Sequence, residues 1–338
     1  AYHPNGPCSR IALTGTPLEN HLEELWSLFD FLIPGLLGTL SEFRSQFVVP
    51  IERYKDEKAS TRLATVVRPF LLRRLKTDDK IAPDLPEKIE REEFVSLSTE
   101  QAALYQSVLD EMIGAVDEAD GIHRKGLVLA MITKLKQICN HPSLYLRDSA
   151  GLEGRSGKLD RLVEIVKTLL DADQKVLLFT QFAQFGTILQ PFLSDYFSQR
   201  TLFLHGSLSK KQRVDAISTF QTDPSVKLFL LSLKAGGYGL NLTAASNVIH
   251  IDQWWNPATH EQATDRVHRI GQKSTVNVQR LICKGTLEEK ISEMLAHKQE
   301  LADTVVNSAR SEVTNLSTEQ LYEMLRLNSS YTAELKKQ

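Results

Sequence analysis

The sequence predicts an α/β fold: a parallel sheet covered by helices in the second half, with α-helical protrusions in the N-terminal half. Three observations carry that reading. From Lys175 onward, short β-branched or leucine-rich runs alternate with amphipathic stretches. Those runs are continuously apolar, as strands buried on both faces are. Ahead of them, apolar residues recur at three-to-four spacing, which is a helical period.

In the second half the expected strands are Val176 to Thr180, Thr201 to His205, Leu228 to Ser232, Val248 to Asp252 and Val276 to Cys283. Helices are expected between and after them, over Phe182 to Phe197, Lys210 to Phe220, His260 to Ile270 and Leu287 to Leu301. In the first half, Leu22 to Leu32, Thr61 to Leu75, Glu100 to Asp117 and Leu127 to Ile138 read as helices, with Ser98 or Thr99 as the N-cap of the third. Lys88 to Leu97 is the one strand expected there. Pro83 and Pro86 mark a hinge, and a loop over Asp148 to Gly157 carries Gly151, Gly154 and Gly157.

Composition narrows the function. At 338 residues the chain has room for two or three domains. A formal net charge of −2 excludes a uniformly cationic binder, so any nucleic-acid contact comes from local basic patches. No apolar run approaches the roughly 18 residues of a membrane span. The best stretch, Phe31 to Leu40, is broken by Pro34, Gly35 and Gly38, and no signal-peptide pattern opens the sequence. Cys8, Cys139 and Cys283 are too widely spaced for a disulfide framework or a zinc site of their own, so a reducing compartment is expected.

Three segments carry candidate chemistry. Ala12 to Asn20 contains Thr14, Gly15 and Thr16: Ile11 to Leu13 would end a buried strand, Gly15 would turn the chain, and Pro17 would open a helix. The two hydroxyls would sense a ligand's state or simply cap the turn. Leu231 to Leu242 runs from a strand into a glycine-rich turn with Lys234, Gly237 and Gly239. That pattern suits a backbone approaching a phosphate as well as it suits a tight turn. In Gln262 to Gln272, a continuous helix would put Gln262, Arg266 and Arg269 on one face and end at Gly271. Paired guanidiniums are what a transferring phosphoryl group requires; the alternative is a solvated charged face.

Other segments carry less. Asp117-Glu118-Ala119-Asp120 spells an acidic box, but helical spacing precedes it where a metal-binding box needs a buried strand. Ser156-Gly157-Lys158-Leu159 lacks the glycine and hydroxyl of a P-loop. Trp254-Trp255 reads as packing before base stacking, and Cys139-Asn140-His141 as a packed helix end without a metal-ligand partner nearby. Lys210, Lys211 and Arg213 offer a helix start to a phosphate backbone, and Arg68 to Lys76 forms a second basic cluster.

Taken in order, these segments resemble the Swi/Snf family of superfamily-two, DNA-translocating ATPases. "LTGTPLEN" at 13–20 is similar to motif III, and "FLLRRLKTD" at 70–78 with "LPEK" at 85–88 to the linker block. "KLKQICNHPSL" at 134–144 and "SGKLDRL" at 156–162 resemble the helical insertion and re-entry to the second lobe. "KVLLFTQF" at 175–182 resembles motif IV and "LHGSLS" at 204–209 the following block. "LSLKAGGYGLNLTAASNVIHIDQWWNP" at 231–257 and "QATDRVHRIGQ" at 262–272 resemble motifs V and VI. The resemblance spans residues 11–300. It departs at Lys234, where the family normally has Arg, and in the P-loop and acidic box, which lie upstream of motif III in the family.

The resemblance implies two RecA-like lobes with ATP and Mg²⁺ between them. The expected division is 1–20 as the end of the first lobe, 21–80 as helical protrusion and linker block, and 81–97 as hinge and first strand of the second lobe. A helical insertion at 98–155, the second lobe at 156–302 and a helical tail at 303–338 follow. Arg266, Arg269 and Gln262 are the expected catalytic residues, and Gly237 and Gly239 shape the nucleotide-facing turn. Thr180, Gln181, Arg213, Lys234 and Trp254 are expected on the backbone of double-stranded DNA. Thr14, Gly15 and Thr16 are expected to couple the lobes. Expected partners are the N-terminal RecA-like lobe and a DNA-bound protein complex; no membrane is expected. The chain alone is expected to be incomplete as an ATPase, with no cofactor of its own. Compact insertions point to a bacterial or archaeal cytoplasm, a eukaryotic source to the nucleus. A non-catalytic DNA-binding or docking module on a degenerate lobe is the alternative.

Overall fold

Six strands, all parallel, form one sheet in the order β1-β6-β5-β2-β4-β3: β1 Lys88–Val95, β2 Val176–Thr180, β3 Thr201–Leu204, β4 Leu228–Ser232, β5 Asn247–His250 and β6 Val276–Cys283. The computed structural model describes residues 10–13, 22–54, 56–72, 85–233, 240–255, 257–301, 313–314 and 316–328. The expected strands agree with these within two residues at either end.

β2 shows why the apolar runs are continuous. Leu177 and Phe179 enter one core with Phe229, Leu231 and Val248; Leu178 and its neighbour Val176 enter another with Leu228, Leu230 and Ile249. Side chains alternate across a strand, so helices on both faces demand apolar residues at every position. The covering helices include α7 (Gly157–Asp171), α8 (Ala183–Tyr196) and α9 (Lys210–Thr222). β1 is an edge strand and carries charge: Arg280 on β6 pairs with Glu90 across the β1–β6 ladder.

Beside the sheet stands a helical layer. α4 (Thr99–Asp117) begins at Ser98, whose hydroxyl caps Gln101 N–H while the Gln101 side chain returns to Ser98 N–H. α5 (Gly121–Asn140) packs against α4, followed by the short α6 (Pro142–Leu146). Leu287–Leu301 and Thr318–Leu325, both helices, complete this core around Tyr105, whose hydroxyl donates to Leu325 O at 2.8 Å. The acidic box falls on the end of α4, with Asp117 its last residue and Glu118 its C-cap, as helical spacing required. Residues 22–67 have a core of their own, built on α1 (Leu22–Leu32), the short α2 (Leu40–Phe43) and α3 (Glu57–Val67) around Phe29, Phe43 and Leu63.

Two expectations from the first half need correction. The helix expected over 61–75 is α3, which ends at Val67 and tightens into a 3₁₀ turn at Arg68–Phe70. Pro69 supplies no N–H to continue the ladder, and the chain turns extended at Leu71. Ile11 to Leu13 form no strand; Ile11 and Leu13 are 78% and 95% exposed, and among the described residues no strand lies beside them to pair with. Among the described residues no helix is long and apolar enough to cross a membrane.

Candidate functional site

β2 and β5 are neighbours running the same way, so the loops that leave them emerge together at the carboxyl edge of the sheet. One buried carboxylate joins those loops. Thr180 Oγ1 donates to Asp252 Oδ2 at 2.6 Å, and Gln181 N–H donates to Asp252 Oδ1 at 2.8 Å. Asn140, the last residue of α5, donates to the same Oδ2 at 2.9 Å. Next to it, Gln181 Nε2 and Lys136 Nζ both donate to Gln253 O, and the Lys136 ammonium stands over the Trp255 ring.

Behind this edge lies a sealed ion pair. Lys158 Nζ meets Glu288 Oε1 at 2.7 Å and donates to Asn140 Oδ1 at 3.0 Å; Glu288 Oε2 accepts Cys283 N–H at 3.0 Å. Burial alone would lower the Lys158 ammonium, but Glu288 together with Cys283, Cys139 and Asp252 outweighs it and holds the pKa above its ordinary value. Lys136 has no such close partner, and burial brings it down to about 8. Burial raises the Asp252 carboxyl against the opposing pull of Lys158 and of its bond from Thr180.

The expectation that Cys139 lacks a metal-ligand partner is corrected here. Cys139, Cys283 and Glu288 bring ligand atoms within 4.8 Å of one another, from segments too distant in sequence to suggest it. The group does not fit a divalent cation. Both Glu288 oxygens are committed, the Lys158 cation sits against one of them, and burial holds the Cys283 thiol well above its ordinary pKa. Cys139 to His141 is the packed helix end the spacing suggested, with His141 capping Ser143 N–H.

The arginine-bearing segment is not one helix. Pro257–Thr264 is helical, and Asp265 to Gly271 forms tight turns, correcting the helix expected over 260–270. Thr264 O accepts both Val267 N–H (2.9 Å) and His268 N–H (3.0 Å). Tertiary bonds compete with the next helical turn: Leu242 N–H donates to Arg266 O at 2.9 Å, and His268 Nε2 donates to Pro86 O at 2.8 Å. Gln272 Nε2 donates to Ala245 O at 2.8 Å, and Gly271 adopts φ +101°, a region open to glycine. Gln262 therefore stays on the helix, while half-buried Arg266 and exposed Arg269 project from the turn. Burial and the neighbouring Arg269 charge push the Arg266 pKa down.

A SNF2-related domain matches residues 7–144, and a helicase conserved C-terminal domain matches residues 157–271. The Sulfolobus solfataricus SWI2/SNF2 ATPase C-terminal domain is similar over its whole length and 72% of this chain, at 42% identity and a TM-score of 0.63. This chain belongs to the SWI2/SNF2 ATPase family. The Sulfolobus SWI2/SNF2 core in complex with dsDNA is 46% identical, with a TM-score of 0.65 over 94% of this chain and 67% of that one. "Putative ATP-dependent helicase/translocase YwqA" of Bacillus subtilis is 47% identical over 322 residues, covering 95% of this chain. The chain spans 35% of that relative's length.

Within this SWI2/SNF2 chain the expected site residues separate into three groups. Thr14, Gly15, Thr16, Lys234, Gly237 and Gly239 lie outside the described residues, as do Pro83 and most of the tail at 303–338. Gln181 and Trp254 come together on the two loops, and Arg213 sits in the first turn of α9. Thr180, expected on DNA, is fully buried, with its hydroxyl donating to the same Asp252 carboxylate that accepts Gln181 N–H. Sequence reasoning missed Asp252, Lys136, Asn140, Lys158 and Glu288. A lone acid directly after an apolar strand was the available signal for Asp252; the Lys158–Glu288 pair had no local signal.

Proposed function

We propose that this chain is the arginine-supplying lobe of an ATP-dependent double-stranded DNA translocase. The observation that carries the reading is the turn at 265–269. It carries two arginines close enough for the Arg269 charge to act on the half-buried Arg266, whose carbonyl accepts Leu242 N–H. Mutual repulsion and partial burial make such a pair a receptor for an anion, and ATP's γ-phosphoryl group supplies one. Bound Mg²⁺ neutralises phosphate charge during transfer, and no described residue cluster is suited to it, so metal and triphosphate belong to the partner lobe. Arg266 and Arg269 stabilise the transferring group and Gln262 stands beside them, while Gly237 and Gly239 let the backbone approach.

Gln181, Arg213, Lys234 and Trp254 take the DNA backbone, with Thr180 as their support. Binding is then insensitive to sequence and steep in salt. Thr14, Gly15 and Thr16 transmit nucleotide state between lobes. In this reading 21–80 is helical protrusion and linker, 98–155 the helical insertion, and 156–302 the second lobe. Repeated closure of the lobes moves the motor along one strand and displaces a DNA-bound protein complex; a bacterial or archaeal cytoplasm suits its compact insertions.

The test is ATP hydrolysis by this chain with and without duplex DNA, beside an Arg266→Ala/Arg269→Ala double variant. The sequence contains no GxxxxGK[ST], so no turnover is expected until the first lobe is supplied, and DNA-stimulated turnover once it is. Turnover by this chain alone that disappears in the double variant would overturn the division of labour.

A further inference from the structure

Two histidines that the reading above leaves unused connect its two halves. His250 ends β5, and His260 lies on the Pro257–Thr264 helix; they are 1% and 6% exposed. The backbone N–H of Trp254 points at His260 Nε2, 2.7 Å away. An N–H has only a donor to offer, so Nε2 is an acceptor and the ring's single proton sits on Nδ1. His260 Nδ1 lies 3.0 Å from His250 Nδ1 and donates to it. His250 therefore carries its own proton on Nε2, which lies 3.1 Å from Thr264 Oγ1 and donates there. One backbone amide thus fixes both tautomers and the direction of the whole chain.

The chain holds only while both rings are neutral. A second proton on His260 would set Nε2–H against Trp254 N–H, and one on His250 would set two Nδ1–H groups face to face. The surroundings agree. Burial, aided by the Arg280 cation, holds His250 at about 3. Burial, then His250, Arg280 and Lys136, keeps His260 well below its ordinary value. The Phe179 ring stacks on His250 at 5.3 Å between centroids. Among the described residues, the charged groups that act on the pair, Arg280 and Lys136, are cationic.

The ends of the chain matter as much as its middle. Trp254 lies on the loop that leaves β5. Thr264 is the last helical residue, and its carbonyl starts the turn that carries Arg266 and Arg269. We propose that His250 and His260 are positioning residues, a neutral one-directional relay that fixes the Trp254 loop against the arginine-bearing turn. The roles of those two ends rest on the function proposed above; the relay itself does not.

Nitrogen-15 NMR of the imidazoles in the whole chain tests the relay directly. The expected spectrum has His260 protonated at Nδ1 and His250 at Nε2, with neither ring titrating between pH 8 and 5. The reversed tautomers, or a titration midpoint near 6.5 for either ring, would overturn it. Two variants cut the chain at different links. His260→Asn keeps a group where Nδ1 stood but offers Trp254 no acceptor, whereas His260→Gln reaches the Trp254 amide and loses His250. With unchanged circular dichroism, each is expected to weaken fluorescent duplex binding by about threefold to tenfold, up to the 1.4 kcal/mol of one decade. Parental affinity in both variants would remove the relay from positioning. Trp254→Ala is the reference: if it too binds duplex normally, the DNA role of the loop fails, and the NMR alone judges the relay.

Discussion

Lys158 and Glu288, both closed to solvent, meet at 2.7 Å where the first turn of α7 faces the first turn of the Leu287–Leu301 helix. The pair joins a sheet-covering helix to the helical layer, and Asn140 extends it to Asp252 and the loops at the carboxyl edge. Burying two charges costs about as much as their attraction returns, so the pair is better understood as fixing geometry than as adding stability.

That distinction is measurable. Glu288→Gln leaves the Lys158 ammonium buried without its counter-charge and is expected to cost about 3–5 kcal/mol in urea unfolding. The double variant Lys158→Met/Glu288→Leu is expected to recover most of that loss, because no charge remains buried. A double variant as unstable as the single one would show that the pair itself stabilises the fold.

Stability is expected to fall between pH 7 and 5. His141, His250 and His260 all have folded pKa values below the ordinary 6.5, mainly through burial. Below pH 6.5 the unfolded chain takes up protons that the folded chain refuses, and stability is lost progressively toward the folded values, about 3 for His250. Each such histidine contributes a slope of up to about 1.4 kcal/mol per pH unit. Urea midpoints that stay flat across this window would mean that the rings accept protons in place.

Glycines provide an opposing pair of tests. A Cβ at Gly157 would lie 1.9 Å from the backbone oxygen of Ser96, and rigid backbone cannot step aside. Gly157→Ala is expected to cost at least about 1–3 kcal/mol by overpacking. Gly126, inside α5 and exposed, meets nothing within 4 Å, so Gly126→Ala is expected to add about 0.5–1 kcal/mol. Thermal melts of the two variants should move in opposite directions.

In a parent protein with both lobes, Arg269→Ala is expected to abolish most ATP turnover, by about 10³-fold or more, while leaving duplex affinity within twofold. Steady-state hydrolysis and fluorescence anisotropy on one preparation check both halves. Unchanged turnover would remove Arg269 from the chemistry.

The sheet was legible because strands buried on both faces announce themselves as unbroken apolar runs, as Leu228 to Ser232 does. Helix starts were legible where a capping residue stood ahead of an apolar period, as at Ser98. The segment at 260–270 was misread for a physical reason. Its local pattern is helical, but bonds from Leu242 to Arg266 and from His268 to Pro86 draw the chain into turns, and no window of sequence contains both partners. The same limit hid Glu288 from Lys158 and Cys283 from Cys139. Ordered motifs carried the functional reading; the side-chain network beneath them became visible only when the fold brought it together.

β1 pairs along its whole length with β6, the last strand of the sheet. On a ribosome, residues 88–95 emerge and then wait, while α4, α5, α6 and four further strands are made, for residues 276–283 to arrive. Until then β6 is missing and the sheet's β5 side stays open, an invitation to wrong pairing in a crowded cell. Closing so distant a pair is a slow, high-contact-order step. The charges along Lys88–Val95, among them Glu90 and Glu93, which pair with Arg280 and Arg161 in the finished fold, also make that waiting segment a poor template for a neighbour's strand.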